Sequence, residues 1–143
     1  MFLALSAIAS HLRGVPHFQS LWSVRDGLTA EARDVVPFID VRYEGATVGD
    51  AKGASSVNVS PVVSVSIGVS RGPDAAADLH AAFAAAIRAL HGFKVQGASE
   101  TNDQWTGLVL SQVRAFDPFD SVVGCQLIFT HSKRFAVSTC GGC

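Results

Sequence analysis

The sequence predicts an α+β fold: an antiparallel four-stranded sheet with two helices packed on one face, in the order α-β-β-α-β-β. Three observations carry this. Residues 57–70 alternate Val57, Val59, Val63, Val65, Ile67 and Val69 on one side with Asn58, Ser60, Ser64, Ser66, Gly68 and Ser70 on the other, the period of a strand. Residues 75–92 place Leu79, Phe83, Ile87 and Leu90 at helical spacing in an alanine-rich background. Residues 105–131 hold two extended runs around Asp117-Pro118-Phe119-Asp120, a turn sequence that makes them a hairpin. Paired strands between helices favour helices layered on an antiparallel sheet.

The first helix covers residues 2–12. Leu5, Ile8, Ala9 and Leu12 fall on one face, and the run carries no positive charge before Arg13, unlike a secretory leader. Gly14 is placed to end it and Pro16 forbids its continuation. His17, Phe18, Leu21 and Trp22 anchor a loop or short strand, and residues 28–33 could form one helical turn. The first strand covers residues 35–43. Residues 44–56 contain three glycines and no apolar period, and read as a long loop. The alternating strand that follows would span about 46 Å at ~3.3 Å per residue, so one end should project or bend. Pro61 removes a ladder donor and argues for a bulge or an edge there. Pro73 and Asp74 suit the start of the second helix, and Gly92 its stop. A short strand is possible at residues 93–96. Strand three covers residues 105–116 and strand four residues 122–131.

The 143 residues make one domain, placed at 1–135, with 136–143 a flexible tail. Charged residues are only 16% against roughly 25% in an ordinary soluble domain, which points to surface covered by other subunits. Eleven basic and twelve acidic residues leave a net charge of −1, so no global excess holds nucleic acid. No apolar run approaches the ~20 residues needed to cross a bilayer.

Chemistry is sparse. Ser64-Val65-Ser66-Ile67-Gly68 lacks the first glycine of a nucleophile elbow and lies on a regular strand. Residues 49–53 lack phosphate-loop spacing. His80 and His91 share a helix face but stand eleven residues apart, and no His–carboxylate spacing suits a metal. Asp117 and Asp120 read as turn caps and Asp40 as a carboxylate interrupting a strand. Cys125 reads as a buried thiol. Cys140 and Cys143 offer a zinc site two ligands of the four it needs. No catalytic, cofactor-binding or metal-ligating residue is expected, and no enzymatic activity.

The order of segments resembles the tail terminator, or tail-completion, proteins of long-tailed bacteriophages. The resemblance rests on Ile8-Ala9-Ser10-His11-Leu12-Arg13 in the first helix, the extended stretch 36–45, the helix 75–92 ending in His91-Gly92-Phe93, and the closing run Gln126-Leu127-Ile128-Phe129-Thr130-His131-Ser132. It implies a virion protein at the head–tail junction, assembled in the host cytoplasm. There it would form a hexameric ring that caps the tail tube protein and meets the head-completion, or stopper, protein. DNA would pass through the lumen without sequence-specific binding. Heterologous contacts close such rings when the rotation is right. The groups expected at partner interfaces are Tyr43, Glu44, Asp50, Lys52, Arg71, Lys133 and Arg134. Two other readings stay open: another head–tail connector subunit, and a small ligand-binding α+β module.

Overall fold

The computed structural model describes residues 2–27, 36–49, 56–95, 105–118 and 120–136. The elements are α1 (Leu3–Arg13), a 3-10 turn (Pro16–Phe18), β1 (Ser23–Asp26), β2 (Phe38–Val48), β3 (Ser56–Ser70), α2 (Ala75–Leu90), β4 (Val109–Phe116), β5 (Val122–Thr130) and β6 (Lys133–Ala136). They build a six-stranded mixed sheet ordered β1-β2-β3-β5-β4, with β6 also paired to β3.

This corrects the expected four-stranded antiparallel sheet and its α-β-β-α-β-β order. The first extra strand, β1, lies parallel to β2, pairing Ser23 to Asp26 with Phe38 to Val41. Its four residues, Ser-Val-Arg-Asp, carry no apolar alternation, so pattern alone did not mark it. The second, β6, exists because β3 is too long for β5. Strand β5 pairs β3 from Val62 to Ser70, and β6 takes up the remaining stretch from Ser56 to Val59. His131 and Ser132 break this track. Pro61 of β3 lies level with the break, where its missing N–H leaves no ladder bond unmade.

A bulge faces Pro61 on the other side. The β2–β3 register shifts between Tyr43 and Ala46, and Gly45 sits there at φ 109°, a conformation that favours glycine. The expected loop over residues 44–56 is corrected likewise. Residues 44–48 and Ser56 are strand, and the two arms continue as a ribbon. The expected helical turn at 28–33, residues 50–55 of the expected loop, and Cys140 and Cys143 lie outside the described residues. Strand β4 begins at Val109, not at Trp105, and β6 ends at Ala136.

Both helices pack on the same face of the sheet. Leu5, Ile8 and Leu12 of α1 meet Ile39, Val41, Val63, Val65, Ile67, Leu127 and Phe129 in one core. In α2 the deepest line is Ala82, Ala86 and Leu90, with Leu79, Phe83 and Ile87 flanking it. The alanines let the helix lie close to its neighbours while the larger side chains fill both flanks. Asp78 in the first turn and Arg88 in the last suit the helix dipole, although Asp74 makes no side-chain cap. Gly92 stops α2 at φ 84°, as expected. Gly14 keeps right-handed helical angles, so α1 ends because Pro16 follows.

Candidate functional site

The sheet face away from the helices has no layer over it among the described residues. It carries Arg25, Asp40, Arg42, Ser64, Ser66, Gln126, Gln112 and Arg114, side by side through the strand register. Alternation places them there, since every second residue of a strand shares a face. They bond one another. Arg42 Nε donates to Asp40 Oδ2 at 2.8 Å, and Ser64 Oγ donates to Glu44 Oε1 at 2.8 Å. Gln126 Nε2 donates to Ser66 Oγ at 3.1 Å, and Arg114 Nη2 donates to Gln112 Oε1 at 3.1 Å. The small hydroxyls are buried beneath the longer polar chains (Ser64 is 0% exposed), so the outer surface is made of arginine, glutamine and carboxylate groups.

Toward the β1 end of this face the polar network gives way to an aromatic patch. Gly68 and Gly124 pair across β3 and β5. The Phe38 ring lies over Gly68, meets Phe116 edge-on with centroids 6.4 Å apart, and takes the Arg25 guanidinium above it at 4.8 Å. Gly68 leaves the space the ring fills, whereas a Cβ at Gly124 would meet the Ile67 carbonyl of the neighbouring strand.

At the other end, where β6 joins, Trp105, His131, Lys133 and Phe135 form a second cluster. His131 is buried, stacks on Trp105 with centroids 4.5 Å apart, and has no hydrogen-bond partner at either ring nitrogen. Burial pushes its pKa down to about 4 from 6.5, so the ring is neutral near pH 7. Lys133 Nζ lies 4.9 Å from the Phe135 ring centroid and 5.7 Å from that of Trp105. Burial also pushes the Cys125 thiol up, which keeps this half-buried group protonated. Among the described residues, no three His, Cys, Asp or Glu side chains converge to hold a metal ion, and no helix is long and apolar enough to cross a membrane.

The residues expected at partner interfaces do not converge on one spot. Tyr43 lies on the helix face of β2, half-buried, with the Phe2 ring edge-on at 5.2 Å. Glu44 is exposed at the bulge. Arg71 sits just past β3, donating from Nε to the Asp120 carbonyl at 2.8 Å, with Asp117 at 3.9 Å. Lys133 and Arg134 pair with Val59 and Asn58 at the far end of β3, about 40 Å away at ~3.3 Å per residue. Arg134 is exposed, whereas Lys133 is buried among aromatic rings. Asp50 and Lys52 lie outside the described residues. The sequence reading missed Arg25, Arg42, Gln112, Arg114 and Gln126. Their alternation is visible in the sequence but becomes a surface only once the strand order is known.

The fold is therefore that of a helix-covered α+β sheet whose central hairpin outruns its helical layer. Compared with known proteins, the chain matches no family model and no curated protein. Among solved structures it is similar to a chain in the virion of a native gene transfer agent particle. The TM-score is 0.55 and the identity 16%, over 94% of this chain and 91% of that one. At that identity the two share a fold.

Proposed function

We propose that this protein is a structural subunit of a tailed, phage-like particle. In this reading it forms a hexameric ring that caps the tail tube and joins it to the head-completion complex. The carrying observation is the fold likeness to a gene transfer agent virion chain over nearly the full length of both. The architecture supports it. The β2–β3 ribbon, with Ala46, Thr47 and Val48 exposed, could lie along a stacked ring or tube. The near-neutral chain suits a lumen through which DNA slides without capture.

Particles produced without this chain test the reading by electron microscopy. Tails of irregular length, unjoined to heads, are the expected result. Uniform tails joined to heads overturn it. Uniform tails that stay unjoined replace the terminator role with that of a different connector subunit.

A further inference from the structure

We propose that copies of this chain join edge to edge. The outer edge of β2 over residues 43–47 pairs antiparallel with the outer edge of β4 over residues 112–115 of the next copy. This deepens the ring reading by naming the contact that closes it.

Both edges are open among the described residues. Strand β1 covers β2 only from Phe38 to Val41, and Gly27 N–H closes that stretch on the Val41 carbonyl at 2.7 Å. Beyond Arg42, which Gly27 flanks, none of the described residues bonds the outer side of β2. Strand β4 pairs β5 on its inner side alone. Among the described residues its outer side is bonded only at the start, where Leu110 N–H meets His91 Nδ1 at 3.3 Å and, just before it, Gly92 N–H meets the Leu108 carbonyl at 2.7 Å and Leu108 N–H the Phe93 carbonyl at 2.9 Å. Residues 111–115 are all exposed, including Val113 at 48%, and Val48 of β2 is 68% exposed. An open strand edge is a template for another strand, and such edges are usually blunted by lysine, proline or shortness. Strand β4 has eight residues, no proline and one charge.

The two edges match residue by residue in one antiparallel register. With Glu44 opposite Arg114, the next pairs are Ala46 with Val113 and Thr47 with Gln112. In the other direction the last pair is Tyr43 with Ala115, since Gly27 already lies beside Arg42. The ladder registers place Arg42, Glu44 and Thr47 on the polar face and Tyr43 and Ala46 on the helix face of β2. They place Gln112, Arg114 and Phe116 on the polar face and Val113 and Ala115 on the helix face of β4. Polar therefore meets polar, apolar meets apolar, and the one carboxylate of the arm meets the one guanidinium of β4. A cross-strand opposite-charge pair favours that register over its neighbours. The bulge at Gly45 is needed for the match, because it shifts Ala46 onto the apolar face.

The register also fixes a stagger. Within one copy Arg114 is level with Asp40, through Gln126 and Ser66. Placing it opposite Glu44 of the next copy slides that copy by four residues, about 13 Å, and carries β4 past the next copy's β1. Spread over β2, β3, β5 and β4, the slide is one residue per strand. A closed barrel of eight strands with a shear of about eight has the same ratio, so the stagger is compatible with a closed sheet. The contact is heterologous, as a ring requires.

Charge reversal on the full-length chain tests this by sedimentation velocity, with circular dichroism as the folding control. The wild-type chain is expected to form a ring. Arg114→Glu alone, an exposed change, and Glu44→Lys alone should each cut association at least tenfold. The double variant should recover it. Wild-type chain that stays monomeric to millimolar concentration overturns the proposal, as do folded single variants that assemble like wild type. In the second outcome, irregular tails in particles lacking the chain would leave the terminator reading standing with a different ring contact. Association lost in the folded single variants and not recovered in the double variant also overturns the pairing.

Discussion

The Gly68–Phe38 contact lets one substitution be worked through from atoms to a melting curve. A Cβ added at Gly68 would stand 2.5 Å from both Cε1 and Cζ of Phe38, and 3.1 Å from Val122 Cγ1. Carbon atoms prefer about 3.5–4.0 Å, so the ring would have to retreat by roughly 1 Å. It is only 3% exposed, with Arg25 above it and Phe116 at its edge. Overpacking of this kind costs about 1–3 kcal/mol. Replacing a strand glycine with alanine returns roughly 0.5–1 kcal/mol of backbone entropy. Gly68→Ala should therefore destabilise the fold by about 1–2 kcal/mol, which lowers Tm by roughly 5 °C in a domain of this size. Phe38→Ala should cost about 3–5 kcal/mol. The decisive measurement is the double-mutant cycle by urea unfolding. With the ring gone the clash is gone, so Gly68→Ala in the Phe38→Ala background should stabilise by up to about 1 kcal/mol. If Gly68→Ala has the same sign and size in both backgrounds, the glycine is not making room for the ring.

Three further outcomes follow from the same geometry. Leu12→Ala removes a fully buried α1 side chain and should cost about 2–5 kcal/mol in urea unfolding. Gly45→Ala meets open space but keeps φ at 109°, so about 1–2 kcal/mol of strain should appear as faster hydrogen exchange at Ala46, Thr47 and Val48, with the core unchanged. His131 is neutral in the fold with its pKa near 4, against 6.5 unfolded, so the unfolded chain binds more protons between those values. Its contribution is present above pH 6.5 and is lost as pH falls toward 4, by at most about 3 kcal/mol. His131→Phe, which keeps a ring against Trp105, should flatten that part of the stability–pH curve.

What the sequence made legible follows from how far each signal reaches along the chain. Strand β3 was read from alternation and α2 from helical spacing because both signals repeat within one element. An irregularity at Pro61 was legible because a missing donor must be accommodated wherever the proline falls, here at the break between β5 and β6. Strand β1 was not legible, because four residues without alternation become a strand only when β2 offers an edge. Strand β6 was hidden for a related reason: it pairs only the length of β3 that β5 leaves over. The residues of the polar face were each visible as polar, and Ser64 and Ser66 were seen to share one face. That Arg114, Gln126, Ser66 and Asp40 lie in one row across four strands depends on long-range register, which no local pattern contains. Residues 44–48 were misread because glycine at a bulge and glycine in a loop look alike in sequence.

The low charge of the chain and the strand edges left open among its described residues are two views of one property. A monomer that must remain alone protects its strand edges with lysine, proline or an overlying element, and it surrounds a sheet face with charge to keep it from stacking. Here β4 presents Val109, Val113 and a single arginine, and the β2 arm beyond Val41 presents Arg42, Glu44 and otherwise uncharged residues. Charge therefore occurs sparsely on the two edges, with one opposite-sign match when they are laid antiparallel. Sparse charge weakens solubility as a monomer but sharpens register in an assembly, because a single misplaced ion pair then removes the only electrostatic preference the contact has. Adding protective charge is the informative perturbation. Val113→Lys should leave the exposed β4 edge folded, raise solubility and abolish association, since it sets a lysine against Ala46 on the apolar side of the joint. A Val113→Lys chain that still sediments as a ring would show that the sparse charge has another cause.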